Sequence, residues 1–285
     1  MPTINSFDID YARALNIIMA ARPDINKRTG KRVRAVHGIV FHGRQTDRGG
    51  LFPILSLRDI RPLWACAEAV WFLSGSKDPK WMEHFGFKAW SKFTDFDGSV
   101  HSATGWRWRN WFGVDQLNAL INKLENDVSS RQCVLQSWDP KTDLLNPGPN
   151  VPCLVSWHLH TIDNKLNLSV FQRSADMFFG LPHDILGARI IQELIAARLH
   201  LHVGSIMYAI SNAHLYEDQW EAAEEMMARA DGISEYMDPI LDLNLLHPDF
   251  DRALEGDLTL PMEIAARINR FYDPFPSIAG PQIAL

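Results

Sequence analysis

Apolar side chains recur at helical spacing in three parts of the chain. Residues 8–22 and 61–74 place them three to four positions apart, and the second segment is followed by Gly75, a residue type that commonly ends a helix. From about residue 185 to 201 the sequence ILGARIIQELIAARLHL keeps the same period with few polar positions. The pattern predicts three helices, of which the third lies in the core.

Three other segments, 151–160, 166–173 and 205–215, are rich in β-branched and aromatic residues and predict strands. Asp163 and Asn164 stand between the first two segments, and this pair of residues favours a turn. We therefore expect an antiparallel hairpin with a third strand beside it.

The composition is that of a compact protein without a strongly charged surface. The chain has 285 residues, of which 46% are hydrophobic and 22% are charged, and its formal net charge is -6. The chain therefore has no excess of positive charge of the kind that favours binding of nucleic acid. No repeat, low-complexity tract or long linker divides the sequence, so we expect one domain over residues 1–285.

The sequence also bears on the cellular compartment. The first ten residues, MPTINSFDID, lack the apolar stretch of a signal peptide, and no run approaches the ~20 apolar residues of a membrane span. The three cysteines, Cys66, Cys133 and Cys153, are too few and too scattered for a disulfide scaffold. These features predict a cytoplasmic protein that has no membrane partner.

One cysteine stands at a position suited to chemistry. Residues 139–152, DPKTDLLNPGPNVP, contain four prolines and predict an irregular surface loop that leads directly to Cys153. Taken alone, Cys153 is more simply explained as a small buried side chain. A hairpin that turns near Asp163 would, however, bring Arg173 beside it, where a guanidinium lowers a thiol pKa and can hold a phosphate. The alternative for Arg173 is a solvated charge at the edge of the sheet.

Histidines offer a competing chemistry. His158 and His160 alternate along a predicted strand and share a face, and His200 and His202 form a second pair, so four imidazoles could hold a metal ion. No Asp, Glu or Cys stands near either pair at a ligand spacing, and the HEXXH motif is absent, so we predict no metal site. Dinucleotide-binding, phosphate-binding and serine-hydrolase glycine motifs are absent as well.

Residues 172–182, QRSADMFFGLP, closely resemble the QRSxDxxLGLP signature of thymidylate synthases and related nucleotide hydroxymethylases. Other matches follow in the family's order along nearly the whole chain: Arg28-Thr29-Gly30, Phe52-Pro53, Glu68, Trp71-Phe72-Leu73, Arg131, Trp138, Pro152-Cys153 and His214-Leu215-Tyr216. The resemblance implies an α+β fold around a large, mostly antiparallel sheet. It also implies a homodimer formed through the sheet, in which arginines cross the interface.

The resemblance implies a role for each matching residue. Cys153 resembles the nucleophile that adds to carbon 6 of a pyrimidine nucleoside monophosphate, and Glu68 resembles the carboxylate that organises water and proton transfer. The implied one-carbon donor is 5,10-methylenetetrahydrofolate. The residues that resemble nucleotide-binding positions are Arg28, Gln172, Arg173, Ser174, His214, Tyr216 and, donated by the partner subunit, Arg131. Asp176 and Trp90 resemble positions that contact the folate.

A departure from the family pattern concerns the base. Uracil-specific members carry an Asn two residues after the conserved Leu-Pro, whereas this chain carries Asp184. A protonated carboxyl offers a donor to ring nitrogen 3 and an acceptor to the exocyclic amine of cytosine, and an ionised carboxyl can pair with a protonated cytosine. Asp184 therefore indicates cytosine, although an Asp here could also simply cap the following helix.

Three further departures bear on the product. The family's His after the nucleophile is Leu154, a Tyr thought to assist loss of the carbon 5 proton is Thr104, and the second of two phosphate arginines is Gln132. An altered wall beside carbon 5 would admit water, so we expect hydroxymethylation of deoxycytidylate (dCMP), an activity associated with bacteriophage DNA modification. Residues 280–285, GPQIAL, resemble the family's closing tail but are one residue longer after the proline.

Several alternatives stay open. They are a cytidylate hydroxymethylase, a methylating thymidylate synthase, a hydroxymethylase of deoxyuridylate, and a catalytically silent nucleotide-binding relative. The mass of the product and the preferred nucleotide distinguish the enzymes from one another, and the need for Cys153 distinguishes them from the silent relative.

Overall fold

The computed structural model describes residues 4–43, 45–46, 49–50, 53–145, 148, 150–231, 243 and 245–278. Phe52 and the segment 280–285, both singled out in the sequence, lie outside the described residues.

A six-stranded sheet forms the centre of the molecule, with strand order β1-β2-β8-β7-β6-β5. Its strands are β1 (Asp24–Ile25), β2 (Arg32–Gly43), β5 (Cys133–Gln136), β6 (Leu154–Ile162), β7 (Lys165–Asp176) and β8 (His202–Tyr216). All neighbouring strands are antiparallel except β7 and β8, which are parallel. A separate two-stranded ribbon pairs β3 (Gln45–Thr46) with β4 (Gly49–Gly50). The fold is therefore mixed α+β with a mostly antiparallel sheet, which confirms the predicted class.

Helices precede, interrupt and follow these strands. The α-helices are α1 (Ser6–Ala20), α2 (Pro62–Ser74), α3 (Lys80–His84), α4 (Thr104–Trp106), α5 (Gln116–Asn126), α6 (Gly180–Arg198), α7 (Trp220–Ala230), α8 (His247–Glu255) and α9 (Leu260–Ile268). Short turns of other helical types span Trp90–Phe93, Arg107–Trp111, Pro140–Leu144 and Glu217–Gln219. In the part of the chain that the structure describes, no helix is long and apolar enough to span a membrane.

The three predicted helices are confirmed, with shifted ends. Asn5 caps α1 by accepting from the backbone N–H of Asp8, so that helix begins earlier than its apolar pattern. Helix α2 ends where predicted, because Gly75 adopts the left-handed conformation (φ 70°) that few other residues tolerate. Helix α6 is buried along most of its length and packs against α2 and the sheet, which confirms its place in the core.

The predicted hairpin is also present. Asp163 and Asn164 both have positive φ, 51° and 58°, as a tight turn between β6 and β7 requires. The pairing register shifts between Leu154 and Ser156, next to Cys153. Such irregularities often re-aim a side chain beside an active site. The predicted third strand is β8. It runs parallel to β7 because α6, which lies between them in the chain, returns the chain to the end of the sheet where β7 begins.

One face of the sheet packs against helices, and the opposite face, here called the outer face, is not covered by any of the residues that the structure describes. Large apolar side chains on the outer face are exposed, including Val40 (47%), Val134 (51%), Phe171 (44%) and Met207 (39%). His158 and His160 lie on the same face, with their rings stacked 5.1 Å apart. An apolar face of this kind commonly marks a surface that another protein molecule covers.

Candidate active site

Cys153 lies immediately before β6, where the loop of residues 139–152 enters the sheet. Its side chain is exposed, whereas Cys66 and Cys133 are buried. Desolvation by the surrounding protein raises the pKa of the thiol. The positive charge of Arg173 lowers this pKa, the negative charge of Asp184 raises it, and Arg28 lowers it by a smaller amount. The thiol is thus accessible and lies within electrostatic reach of two arginines and a carboxyl group.

Arg173 contacts both Cys153 and the two residues that precede it. The backbone N–H of Arg173 donates to the Cys153 carbonyl at 2.9 Å, so β7 and β6 place the two residues side by side as predicted. Its guanidinium donates to the carbonyls of Pro152 (2.8 Å) and Val151 (2.9 Å), and its Nη2 lies 3.8 Å from Sγ of Cys153. Trp138 flanks the guanidinium, with its ring centre 5.7 Å away.

Asp184 is tied to the sheet rather than acting as a helix cap. The helix begins at Gly180 and its capping residue, Phe179, makes no side-chain cap. Oδ2 of Asp184 instead accepts from Nε2 of Gln172 at 2.8 Å, and Oε1 of Gln172 accepts from the Tyr208 hydroxyl at 2.7 Å. Burial raises the pKa of Asp184, the Gln172 hydrogen bond opposes that shift, and Asp176 adds to it.

Glu68, on α2, is a second buried carboxyl group in the same region. Its side chain accepts a 2.7 Å hydrogen bond from the indole N–H of Trp90. Burial raises the pKa of Glu68, and the charge of Asp184 raises it further, while the Trp90 hydrogen bond opposes both. Two carboxyl groups that disfavour each other's ionisation can hold a proton at neutral pH, which suits proton transfer.

Tyr208 marks the centre of this group of side chains. Burial raises the pKa of its phenol, and the charges of Asp184, Glu68 and Cys153 raise it further, so all three residues lie within electrostatic reach of it. We refer to Cys153, Glu68, Gln172, Arg173, Asp184 and Tyr208 as the Cys153 site. Tyr208 belongs to no recognised motif, although its spacing from Ile206 and Ile210 along a strand predicts an inward-facing side chain.

The other predicted binding residues line the neighbouring ends of the strands. Ser174 pairs with Asn212 across β7 and β8, and His214 packs its ring against Tyr216, with centres 5.2 Å apart. Nδ1 of His214 lies 3.1 Å from Oδ1 of Asn212, and burial lowers the pKa of His214. Arg28 is exposed.

Asp176 has a local structural role. Its Oδ1 accepts from the backbone N–H groups of Phe178 and Phe179, and its Oδ2 accepts from Gln219. Oδ1 accepts two hydrogen bonds and Oδ2 accepts one, so Oδ2 retains a lone pair for a ligand. Trp90 and Asp176 are both half-buried, and their contact with folate stays a prediction.

Arg131 is separated from this group along the sheet. It precedes the edge strand β5, is exposed, and its carbonyl lies 3.1 Å from Nε2 of His158 on the outer face. A contribution of Arg131 to a nucleotide site would therefore suit a second copy of the chain placed against that face.

His183 connects α6 to the segment before α2. Its ring nitrogens lie 2.9 Å and 2.6 Å from the carbonyl oxygens of Phe179 and Ile60. This contact joins helix α6, which carries Asp184, to the segment that leads into helix α2, which carries Glu68.

The paired histidines are not arranged as a four-imidazole site. His200 packs against His247, with ring centres 5.4 Å apart, while His158 stacks on His160. Within the described ranges, no three His, Cys, Asp or Glu side chains converge as ligands of a metal ion.

Comparisons with known proteins agree with this geometry. The family model described as thymidylate synthase matches residues 9–260. A thymidylate synthase of Corynebacterium aurimucosum is 28% identical over 232 residues, which cover 80% of this chain and 81% of the relative. Among solved structures, the thermostable thymidylate synthase A from Bacillus subtilis has a TM-score of 0.66 at 24% identity, covering 78% of this chain and 84% of that chain.

Proposed function

Within the thymidylate synthase family, to which this chain belongs, we propose that it is a hydroxymethylase of cytosine nucleotides that prefers dCMP. The family carries out folate-dependent one-carbon transfer to a pyrimidine nucleotide and uses methylenetetrahydrofolate as co-substrate. Those general features hold for this chain. The choice of base and the fate of the transferred carbon are the proposal.

The observation that carries the choice of base is the environment of Asp184. Its carboxyl group is held by Gln172 at 2.8 Å, and burial raises its pKa so that a proton can stay on it near neutral pH. A carboxyl group that keeps a proton offers one donor and one acceptor, which matches ring nitrogen 3 and the exocyclic amine of cytosine. Uracil presents the opposite pattern, and a mismatched buried edge costs about ten- to a hundredfold in binding.

The chemistry begins at the sulfur atom. The Cys153 thiolate forms a bond to carbon 6, and the electron pair of the 5,6 double bond makes carbon 5 nucleophilic. Carbon 5 then bonds to the methylene carbon that the folate supplies, as one carbon–nitrogen bond of that group breaks and its electron pair passes to nitrogen. Loss of the carbon 5 proton through water ordered by Glu68 breaks the second carbon–nitrogen bond, which releases tetrahydrofolate and leaves an exocyclic methylene on carbon 5. After a nucleophile has added to this methylene, the electron pair returned to carbon 5 re-forms the 5,6 double bond and expels the Cys153 sulfur as a thiolate. Arg173, 3.8 Å from Sγ, stabilises the thiolate before addition and after release.

The two side chains that the family pattern would place beside carbon 5 are our reason for proposing addition of water. Leu154 and Thr104 are both buried (6% and 4% exposed) and offer neither an imidazole nor a phenol to manage protons at this position. Water that adds to an exocyclic methylene gives a hydroxymethyl group, whereas hydride from the folate gives a methyl group. We propose the first outcome.

We also propose a homodimer formed through the outer face. Phe171, Met207 and Val134 are exposed there, and association would remove them from water. Arg131 lies near the same face and would join Arg28, Arg173 and Ser174 of the other subunit around the nucleotide phosphate. Gln132 supplies no charge to this clamp.

The mass of the product tests the proposed function. Four pyrimidine monophosphates, namely dCMP, CMP, dUMP and UMP, are incubated separately with methylenetetrahydrofolate and the product masses are compared. The proposal expects the fastest turnover with dCMP and a gain of one hydroxymethyl group without dihydrofolate. A gain of methyl on dUMP with stoichiometric dihydrofolate would establish the second candidate, a methylating synthase, which the name of the curated relative favours.

A further inference from the structure

Tyr208 is a buried residue of the Cys153 site to which the proposed reaction gives no role. Its phenol is fully buried on the inner face of β8. The hydroxyl donates to Oε1 of Gln172 at 2.7 Å, and Nε2 of the same amide donates to Oδ2 of Asp184 at 2.8 Å. Gln172 is itself only 2% exposed. The three side chains form one directed series of hydrogen bonds that ends at the carboxyl group.

We propose that Tyr208 is a positioning residue that fixes the orientation of the Gln172 amide and thereby the base specificity of Asp184. This inference rests on the proposed function, because it requires Asp184 to read the base. Tyr208 itself does not contact the substrate in this scheme.

The Gln172 amide presents a different end to each of its two neighbours. A glutamine amide can turn by half a rotation and exchange its oxygen and nitrogen. In the other orientation, Oε1 would face Asp184 and the NH2 group would face the phenol. Within the described residues, Gln172 is the hydrogen-bond partner that the structure gives the Tyr208 hydroxyl. The reversed amide would therefore leave a buried O–H without an acceptor, a penalty equivalent to about ten- to a hundredfold in population.

The fixed amide determines where Asp184 can carry a proton. Because Nε2 of Gln172 donates to Oδ2, that oxygen acts as an acceptor, and a proton on the carboxyl group belongs on Oδ1. Oδ1–H can then donate to ring nitrogen 3 of cytosine, while the second lone pair of Oδ2 accepts from the exocyclic amine. With the reversed amide, the proton would move to Oδ2 and point at Gln172, so the bare Oδ1 would accept the N3–H of uracil while Oδ2 would offer no donor to its oxygen 4. That form matches one group of each base, whereas the observed form matches both groups of cytosine and neither of uracil. Tyr208 thus disfavours the form of the site that discriminates less against uracil.

Tyr208→Phe tests the inference because it removes one oxygen and keeps the ring. We expect the ratio of kcat/KM for dCMP to kcat/KM for dUMP to fall about tenfold, mainly through a gain with dUMP. Tyr11→Phe is the matched control, since Tyr11 is also fully buried and its hydroxyl donates to a single backbone carbonyl, that of Met177. The control is expected to keep the wild-type ratio. Urea unfolding of both variants measures any general loss of stability.

A second variant checks that Tyr208 acts through Gln172. Gln172→Met removes the amide and keeps the phenol, and it is expected to lower the same ratio. Adding Tyr208→Phe to Gln172→Met should then change the ratio less than twofold, because residues of one network are not additive. An unchanged ratio in either single variant, or a full additional loss in the double variant, would overturn the role of Tyr208.

The wild-type ratio separates this inference from the proposed function. A wild-type enzyme that prefers dUMP contradicts the proposed base preference and the inference with it. A wild-type enzyme that prefers dCMP, with a ratio that responds to Asp184→Asn but not to Tyr208→Phe, leaves the function standing and overturns only the positioning role.

Discussion

Nη2 of Arg173 lies 3.8 Å from Sγ of Cys153, on the strand that runs beside it. The same guanidinium donates to the carbonyls of Val151 and Pro152, which immediately precede the cysteine. One side chain therefore orders the backbone that presents the thiol and supplies the positive charge next to it. Strand pairing sets this arrangement, because the N–H of Arg173 also donates to the Cys153 carbonyl at 2.9 Å.

Arg173→Gln should make the thiol less reactive. Arg173 lowers the pKa of Cys153, so its removal raises that pKa and reduces the thiolate fraction near neutral pH. Because Cys66 and Cys133 are buried, alkylation of the native protein by iodoacetamide reports on Cys153. We expect alkylation to be slower and its pH profile to move to higher pH, and KM for the nucleotide to rise about ten- to a hundredfold.

Arg13→Gln is the control for this prediction. Arg13 is on the exposed surface of α1, where it pairs with Asp10, and its side chain is 73% exposed. Its substitution should leave the alkylation profile unchanged. Equal profiles for Arg173→Gln and the wild type would show that the guanidinium does not influence the thiol.

Local sequence patterns predicted the pieces of the site that depend on strand pairing. The alternation in residues 151–160 and 166–173, together with the turn at Asp163 and Asn164, was sufficient to place Arg173 beside Cys153. Gly75 likewise predicted the end of α2, because a positive φ selects glycine. Such features are encoded within a few residues of one another.

Contacts between distant segments could not be predicted in this way. The series from Tyr208 through Gln172 to Asp184 joins two strands and a helix, and the parallel pairing of β7 with β8 is not encoded in either strand's pattern. The start of α6 was also placed too late. The apolar pattern placed it at about residue 185, but a proline is compatible with the first turn of a helix, and α6 begins at Gly180 with Pro182 in that turn.

Asp184→Asn should move base preference toward uridine nucleotides. An amide at this position donates to oxygen 4 of uracil and accepts from its N3–H, while it offers cytosine a poorer match. We expect the dCMP to dUMP ratio of kcat/KM to fall by about a hundredfold, as measured by product formation with each nucleotide. A variant that retains the wild-type ratio would contradict the assignment of Asp184 as the base-reading residue.

Glu68→Gln should abolish turnover and stabilise the fold at mildly alkaline pH. The pKa of Glu68 is raised in the folded protein, first by burial and then by Asp184, so the folded state keeps a proton that the unfolded chain has lost. Stability of the wild type therefore falls as pH rises from about 4.3, the ordinary pKa of glutamic acid, through neutrality. Glutamine does not titrate and can still accept from Trp90, so the variant lacks this penalty, which is on the order of 1–3 kcal/mol.

Urea unfolding at pH 5 and pH 8.5 measures this effect. The gain in unfolding free energy for Glu68→Gln should be larger at pH 8.5 than at pH 5. Glu224→Gln, on the exposed side of α7, is the control and should show no such difference. A gain that is equal at the two pH values would mean that Glu68 is not held protonated by the fold.

Asp143→Ala should strongly destabilise the protein because it leaves a buried charge without its partner. Nη1 and Nη2 of Arg107 donate to the two carboxylate oxygens of Asp143 at 3.1 and 2.8 Å, and both side chains are only 2% exposed. Oδ2 of Asp143 also accepts from the backbone N–H of Asp139, which fixes the turn Pro140–Leu144. We expect a loss of about 3–5 kcal/mol in the free energy of unfolding.

Two further variants test whether the loss of stability in Asp143→Ala arises because the ion pair is buried. Asp10→Ala breaks an ion pair whose aspartate is 50% exposed, and it should cost less than about 1 kcal/mol, because water already screens such a pair. Arg107→Met combined with Asp143→Leu removes both buried charges and should recover much of the stability that Asp143→Ala loses. If the double variant were as unstable as Asp143→Ala, the loss would come from the hydrogen bonds around Asp139 and not from an uncompensated guanidinium. Turnover of the double variant would then show whether the turn Pro140–Leu144 is needed to present Cys153.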